Sequence, residues 1–359
     1  MRLGRRTTWA ALLAAALLIV GLAGCGSVGY LAQSAHGHLS LMAKAVPVQQ
    51  ILDDPAAPER LRERLRLAMA IRDFSVSELH LPDNNSYRRY AQLDREAAVW
   101  NVVAAPELSL KLHTSCYPFV GCVGYRGFYD RKRAEEAAEK LKAQGFEVSV
   151  YGVPAYSTLG WTNWFGGDPL LSTFIGYPEG ELARMIFHEL AHQVAYAKDD
   201  TMFNESFATA VEVIGGQRWL QQRATEAARE EYARHGERRR EFRELTMRYR
   251  KQLEAVYDSD LPDDSKRARK AELMQQMRDE YQRIKTERWG GFAGYDGWFQ
   301  RANNATLGVL AAYNELVPHF QRLFEREGGD FDRFYAEVKR LAALPKAERR
   351  ATLGAPETP

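Results

Sequence analysis

The stretch His188-Glu189-Leu190-Ala191-His192 constrains this chain more than any other. On a helix, residues four apart share a face, so two imidazoles at this spacing can close on one metal ion. Glu189 stands beside the first of them and is the candidate general base for a water molecule at that ion. The competing reading is a helix with two incidental histidines and a solvated glutamate. The chain holds 8 histidines, so context must decide between the two. His36, His38 and His80 read as surface or structural residues, while His113 and His235 stand apart from the paired histidines and are not expected to bind the metal.

The first residues read as a signal and not as part of the fold. Arg2, Arg5 and Arg6 give a basic start, Trp9 to Ala23 is short and almost wholly apolar, and Leu22-Ala23-Gly24 leads into Cys25. A plain transmembrane anchor is the alternative, for which the apolar run is short. Leu22-Ala23-Gly24-Cys25 resembles the lipobox of bacterial lipoproteins. That resemblance implies cleavage before Cys25, a diacylglycerol on its sulfur and a place on the periplasmic side of a membrane. Gly26 after the cysteine favours the outer membrane under one bacterial sorting rule. The remaining chain suffices for one large domain or two small ones with a substantial core. A formal net charge of +2 and the lack of an aromatic-basic platform argue against nucleic acid as a partner.

Apolar spacing predicts helices over Tyr30 to Ala45 and Glu59 to Leu79, then a turn at Pro82-Asp83-Asn84-Asn85-Ser86. Val99 to Ala104 and Leu108 to Leu112 read as strands. Cys116 and Cys122, six apart in an exported chain, are expected to form a local disulfide worth roughly 2 kcal/mol; free thiols are the alternative. Arg131 to Gln144 reads as an amphipathic helix capped by Gly145, and Glu147 to Tyr151 as a strand. The helix of the paired histidines is expected from Glu179 to Ala197, and the next from Met202 to Gly215-Gly216. From Gln217 to Arg288 the composition shifts to Glu, Arg, Lys and Gln, broken at Leu261-Pro262-Asp263-Asp264-Ser265. That pattern gives a long charged helical hairpin, either solvated or the surface for an unknown partner. Trp298 to Phe324 returns to the core, Phe331 to Leu344 is a short helix, and Pro345 to Pro359 reads as frayed.

The expected organisation is therefore a signal peptide over 1–24, an N-terminal helical segment over 25–98 and a catalytic core over 99–216. The charged hairpin spans 217–288, a helical part of the core 289–345, and a tail 346–359. The fold class is α+β, mostly helical, with a small sheet ahead of the metal helix.

A catalytic zinc takes three protein ligands and keeps one position open. The connection centred on Asp199 is short, so the helices on either side are antiparallel neighbours. His192 and Glu205 lie symmetrically about it and stand at similar heights, which makes Glu205 the third ligand. Glu212 is the competing acid, but it lies roughly 10 Å further along the axis. It is expected at most to touch a ligand from outside. Asp200 can orient a ligand histidine or cap its helix.

Ala195 and Lys198 stand where metzincins carry glycine and histidine, which excludes that class. Phe203-Asn204-Glu205-Ser206-Phe207-Ala208 resembles the stretch around the third ligand in gluzincin-type aminopeptidases. The connection of 12 residues between His192 and Glu205 is shorter than the familiar gluzincins have. The whole mature chain resembles the bacterial family of predicted zinc aminopeptidases. The resemblance lies in Cys116 to Cys122 with Tyr125-Arg126-Gly127, Pro154 to Trp161, Phe187 to Gln193, Phe203 to Ala208, and Asn303-Asn304-Ala305 with Tyr313.

The resemblance implies a zincin core of gluzincin-like type, with one Zn2+ held by His188, His192 and Glu205 and with Glu189 as the base. It implies that Pro154 to Trp161 is an edge strand, in which Tyr156, Ser157 and Thr158 pair with a peptide substrate. Tyr313 is the expected oxyanion donor, with Tyr156 as runner-up. Two rival readings stay open. One is a non-catalytic lipoprotein that keeps the fold as a scaffold, against which the intact Glu189 speaks. The other is an endopeptidase or cell-wall peptide hydrolase.

Overall fold

The computed structural model describes residues 29–30, 33–117, 121–155 and 166–354. Cys25, Tyr156, Ser157 and Thr158 lie outside the described residues. The first elements are α1 (33–43), β1 (Val46–Pro47), α2 (Val48–Leu52), α3 (Glu59–Ser77), β2 (Arg89–Ala91) and β3 (Val99–Pro106). There follow β4 (Ser115–Tyr117), β5 (Gly121–Val123), β6 (Arg126–Phe128), α4 (Arg131–Lys142), β7 (Phe146–Val153) and β8 (Leu170–Leu171). The rest is helical: α5 (Glu179–Ala191), α6 (Thr201–Gln222), α7 (Glu226–Tyr257), α8 (Asp263–Glu287), α9 (Asp296–Arg301), α10 (Asn304–Asn314), α11 (Val317–Arg326), α12 (Phe331–Ala342) and α13 (Lys346–Gly354). The class is α+β, mostly helical with small sheets. No helix among the described residues is long and apolar enough to cross a membrane.

The strand period places the layers. In β3, which pairs antiparallel with β6 and β7, Val102 and Val103 point to opposite faces. Val102 packs with Phe128, Ala134 and Ala138, so α4 covers one face. Val103 and Ala105 pack with Ala305, so α10 covers the other, where Tyr125 and Tyr151 also lie. The larger core gathers α3, α5, α6, α11 and α12 around Phe74, Phe187, Phe203, Phe207, Phe320 and Phe334. The apolar stripe of the hairpin closes its own core, with Phe242, Leu253, Met277 and Tyr281 against Trp289 and Phe299.

Four expectations change. Leu108 to Leu112 is not a strand. Its amides serve a turn (Ser109 N–H to Pro106 O, 3.3 Å) and Leu110 reaches back to the hairpin core. The metal helix stops at Ala191, not Ala197: the Asn204 side chain takes both the N–H and the C=O of Ala197, groups that a continuing helix would use itself. The following helix does not stop at Gly215-Gly216 but runs to Gln222, so residues 217–222 belong to it and not to the charged hairpin. The two glycines serve close packing. A Cβ on Gly215 would stand 2.6 Å from Leu79 and 3.0 Å from Phe187, and one on Gly216 2.8 Å from Arg184. Gly215→Val is therefore expected to destabilise the protein by about 2 kcal/mol through overpacking, read as a lower urea midpoint at unchanged slope. A variant as stable as the parent would show that the helices can separate there without strain.

The fourth change is at the C-terminus. Residues 346–354 form α13 and are not frayed. Arg349 Nη1 meets Asp200 Oδ2 at 2.8 Å, Arg350 pairs with the same carboxylate, and Leu353 is buried. A tail rich in charge reads as solvated until its partner, 150 positions away in sequence, is known.

Candidate metal centre

Helix α5 starts at Pro178 with Glu179 and Glu181 in its first turn, acids that suit the positive end of a helix. It is buried over most of its length, between α3 and α6. His192 closes it in right-handed helical conformation (φ −58°, ψ −19°), so the spacing of four between the histidines survives the helix end. Helix α6 returns antiparallel after a turn in which Asp199 adopts φ 62°. Asp200 caps α6, accepting the Phe203 N–H at 3.2 Å. Of the two roles open to Asp200, the cap is the one the structure shows.

The turn has a second support. Cys116 and Cys122 face each other across β4 and β5 and are joined as a disulfide. The Cys122 N–H donates to Asp199 Oδ1 at 2.5 Å, and Gly121 (φ 81°) lies against Lys198 and Asp199, where a side chain would collide. The disulfide hairpin thus seats on the turn that spaces the two helices.

His188, His192 and Glu205 meet in the interior. Glu205 Oε2 lies 3.5 Å from Nε2 of His188 and 3.5 Å from Nε2 of His192. One ligand atom from each of the three lies within 4.8 Å of the others, a group that could hold a metal ion. The imidazoles are 4.9 Å apart and nearly perpendicular (83°), so their nitrogens converge on the gap without stacking. Glu205 Oε2 is buried and has no hydrogen-bond partner. A buried carboxylate oxygen without a donor is costly, and a divalent cation in the gap would satisfy it together with both nitrogens. The residues fit the group.

The charges around the gap reinforce one another. Burial pushes the Glu205 carboxyl up, but His192 and His188 overcome this and hold it far below the ordinary range. Burial pulls His188 down, and the carboxylates of Glu205 and Glu212 outweigh it, raising the imidazole to about 10. Glu189, buried next to His188, is pushed upward by desolvation and by Glu205 and Asp168, against the pull of the two histidines.

Glu212 does touch a candidate ligand. Its Oε2 lies 2.8 Å from His188 Nδ1, while its Oε1 takes a hydrogen bond from Arg184. Burial raises the Glu212 carboxyl, and Arg184 and His188 bring it down to about 2. A carboxylate on Nδ1 fixes the ring with Nε2 toward the gap, where a metal ion would take the place of a proton.

Tyr313, on α10, lies with its ring 6.1 Å from that of His188, nearly parallel to it (18°). Burial first, then the charge of Glu205, lifts its hydroxyl well above the ordinary tyrosine range, so it stays protonated as a donor. Three more tyrosines near Glu205 were not legible as site residues. They are Tyr125, Tyr151 and Tyr196, each raised by burial and by the Glu205 charge, the last two to about 12. Tyr125 stands in the Tyr125-Arg126-Gly127 segment that the sequence singled out. Tyr151 ends the strand read from Glu147, but only the α10 face of the sheet gives it a place near the gap.

No curated protein and no solved structure matches the chain. The family model described as "Putative aminopeptidase" matches residues 29–353. Its span takes in the sheet, both ligand helices, the charged hairpin and nearly all of α13, and the chain belongs to that family.

Proposed function

We propose that this protein is a zinc peptidase with a gluzincin-like zincin core, acting as an aminopeptidase on peptides. We place it on the periplasmic side of a bacterial membrane, the outer one, held by a lipid on Cys25. The observation that carries the reading is the buried Glu205 Oε2, which has no hydrogen-bond partner and lies 3.5 Å from each of two imidazole nitrogens. Two histidines and one carboxylate are a common ligand set of a catalytic zinc site with a position left open. Bound there, zinc would polarise the scissile carbonyl and make water acidic near neutral pH.

The chain's own residues supply the rest. Glu189 takes the proton of the attacking water as the C–O bond forms and the carbonyl opens, then returns it to the departing amine as the carbonyl reforms and the peptide C–N bond breaks. The Tyr313 hydroxyl donates to the carbonyl oxygen as negative charge builds on it, with Tyr156 as the other candidate. Glu212 holds His188 by Nδ1. Tyr156, Ser157 and Thr158 are assigned to the substrate backbone on the family resemblance. Cleavage at the N-terminal bond is supported by family membership.

A non-catalytic scaffold has no use for a buried base, and Glu189 is buried beside the ligand group. The test is hydrolysis of peptides with a free amine against the same peptides N-acetylated, with zinc supplied. Cleavage of the free peptides alone is expected. Turnover of the blocked ones would make the protein an endopeptidase or cell-wall peptide hydrolase, and zinc binding without turnover of either would leave the scaffold.

A further inference from the structure

The charged hairpin has no part in the chemistry above, yet its first helix reaches the back of the ligand group. Gly180 at the start of α5 lets Tyr232 of α7 lie against the backbone, where any Cβ would clash with the ring. About two helical turns further along α7, the Arg239 guanidinium covers the Tyr232 ring at 5.5 Å and gives Nη1 to Glu181 Oε2 at 2.5 Å. The same Glu181 oxygen lies 3.8 Å from Arg184 Nη1. Arg184 in turn bonds Glu212, and Glu212 bonds His188. Arg243, four residues after Arg239 and so on the same face of α7, points Nη1 at Asn314 Oδ1 (3.5 Å), next to Tyr313.

We propose that Arg239 of the hairpin, acting through Glu181, Arg184 and Glu212, positions His188, which makes the hairpin part of the metal-binding apparatus. The proposal rests on the metal-centre reading. Its physical basis is the sharing of charge along an alternating series. Arg184 is buried and has two acids to choose between, Glu212 at hydrogen-bond distance and Glu181 further off. Arg239 occupies Glu181 from the solvent side, with its own side chain 28% exposed. Without Arg239, Glu181 competes for Arg184, and the grip of Arg184 on Glu212 weakens. Glu212 is then freer to leave Nδ1, and the imidazole loses the hydrogen bond that fixes its orientation toward the gap.

The test measures zinc affinity by competition with a chromophoric chelator and records the visible d–d spectrum of the cobalt(II)-loaded protein. The variants are Glu212→Gln, Arg239→Ala and Arg239→Lys. Glu212→Gln is expected to weaken zinc binding by roughly 10- to 100-fold. Arg239→Ala is expected to weaken it by roughly fivefold, since each link passes on only part of the effect, and Arg239→Lys to recover most of that loss. Both weakened variants should show altered cobalt bands, which a merely structural role would leave untouched. Arg239→Ala lies at the partly exposed end of the series and keeps the test valid if Glu212→Gln fails to fold. Zinc affinity and cobalt spectrum unchanged in Arg239→Ala overturn the proposal, even where its melting temperature falls. A parent chain that binds neither zinc nor cobalt overturns instead the metal-centre reading on which the proposal stands.

Discussion

Replacing Glu189 by Gln is expected to lower kcat/KM on free-amine peptides by about a thousandfold, within the range for removal of a general acid-base group, while zinc uptake stays intact. The substitution keeps the shape of the side chain and leaves no cavity. It removes only the capacity to take up a proton. Three features make the loss large. Glu189 follows His188 directly on a buried helix, so its carboxylate is held next to the ligand group. Desolvation lifts its pKa, which makes it a stronger base than an exposed glutamate. And no other carboxylate in the group is free for the task, since Glu205 is committed to the gap and Glu212 to His188 and Arg184. A thousandfold corresponds to about 4 kcal/mol of transition-state stabilisation. Activity within tenfold of the parent, with zinc bound, would remove Glu189 from the chemistry.

The second large effect is on stability. Asp200→Ala is expected to destabilise the protein by about 4 kcal/mol, a substantial share of the total for a typical fold. Asp200 is 1% exposed and accepts from Arg349, which is 4% exposed, as well as from Arg350. Removing it leaves a guanidinium buried without its anion and takes away the cap of α6 as well. Burial pushes the Asp200 carboxyl up, but Arg350 and Arg349 outweigh this and hold it below its ordinary value of 3.8. A carboxylate whose pKa is lower in the folded chain than in the unfolded one stabilises above the unfolded value. That contribution is lost as pH falls through the folded value. Urea unfolding at pH 7 should therefore separate parent and variant widely, and the gap should narrow below pH 4. Variants that differ by less than 1 kcal/mol at pH 7 would show that the C-terminal helix contributes little to the fold.

The parts of the site that the sequence made legible are those set by local period. His188, Glu189 and His192 depend on one helix turn, and Glu205 on the shortness of one connection. Both relations survive although α5 ends six residues earlier than the apolar pattern suggests, because His192 keeps helical dihedrals. Glu212, about 10 Å beyond Glu205 along the axis, is expected at most to touch a ligand from outside, and it does touch His188 at Nδ1. Antiparallel helices pair residues outward from their connection, so a residue two turns beyond Glu205 meets His188, one turn before His192. Tyr125, Tyr151 and Tyr196 are not legible as site residues, since nothing local says that the separate segments carrying them converge on Glu205. The glycines of α6 look like a stop in the sequence because a helix-breaking residue and a close-packing residue are alike until the partner helix is known.

The turn at 198–200 carries one more consequence, in the order in which the chain is made. Its contacts come from both directions: the Cys122 N–H on Asp199 from earlier in the chain, and Lys346 Nζ on the Asp199 carbonyl (3.1 Å), with Arg349 and Arg350 on Asp200, from later. The earlier contact comes from a loop closed by a disulfide, and the later ones come from α13, some 150 positions further along the chain. A nascent chain therefore has all the candidate ligands long before it has the groups that fix the spacing between their helices. The finished geometry waits for α13 to be made and for two thiols to be oxidised, so a chain that lacks α13, or is still reduced, lacks the full set of contacts that hold its candidate ligands in place.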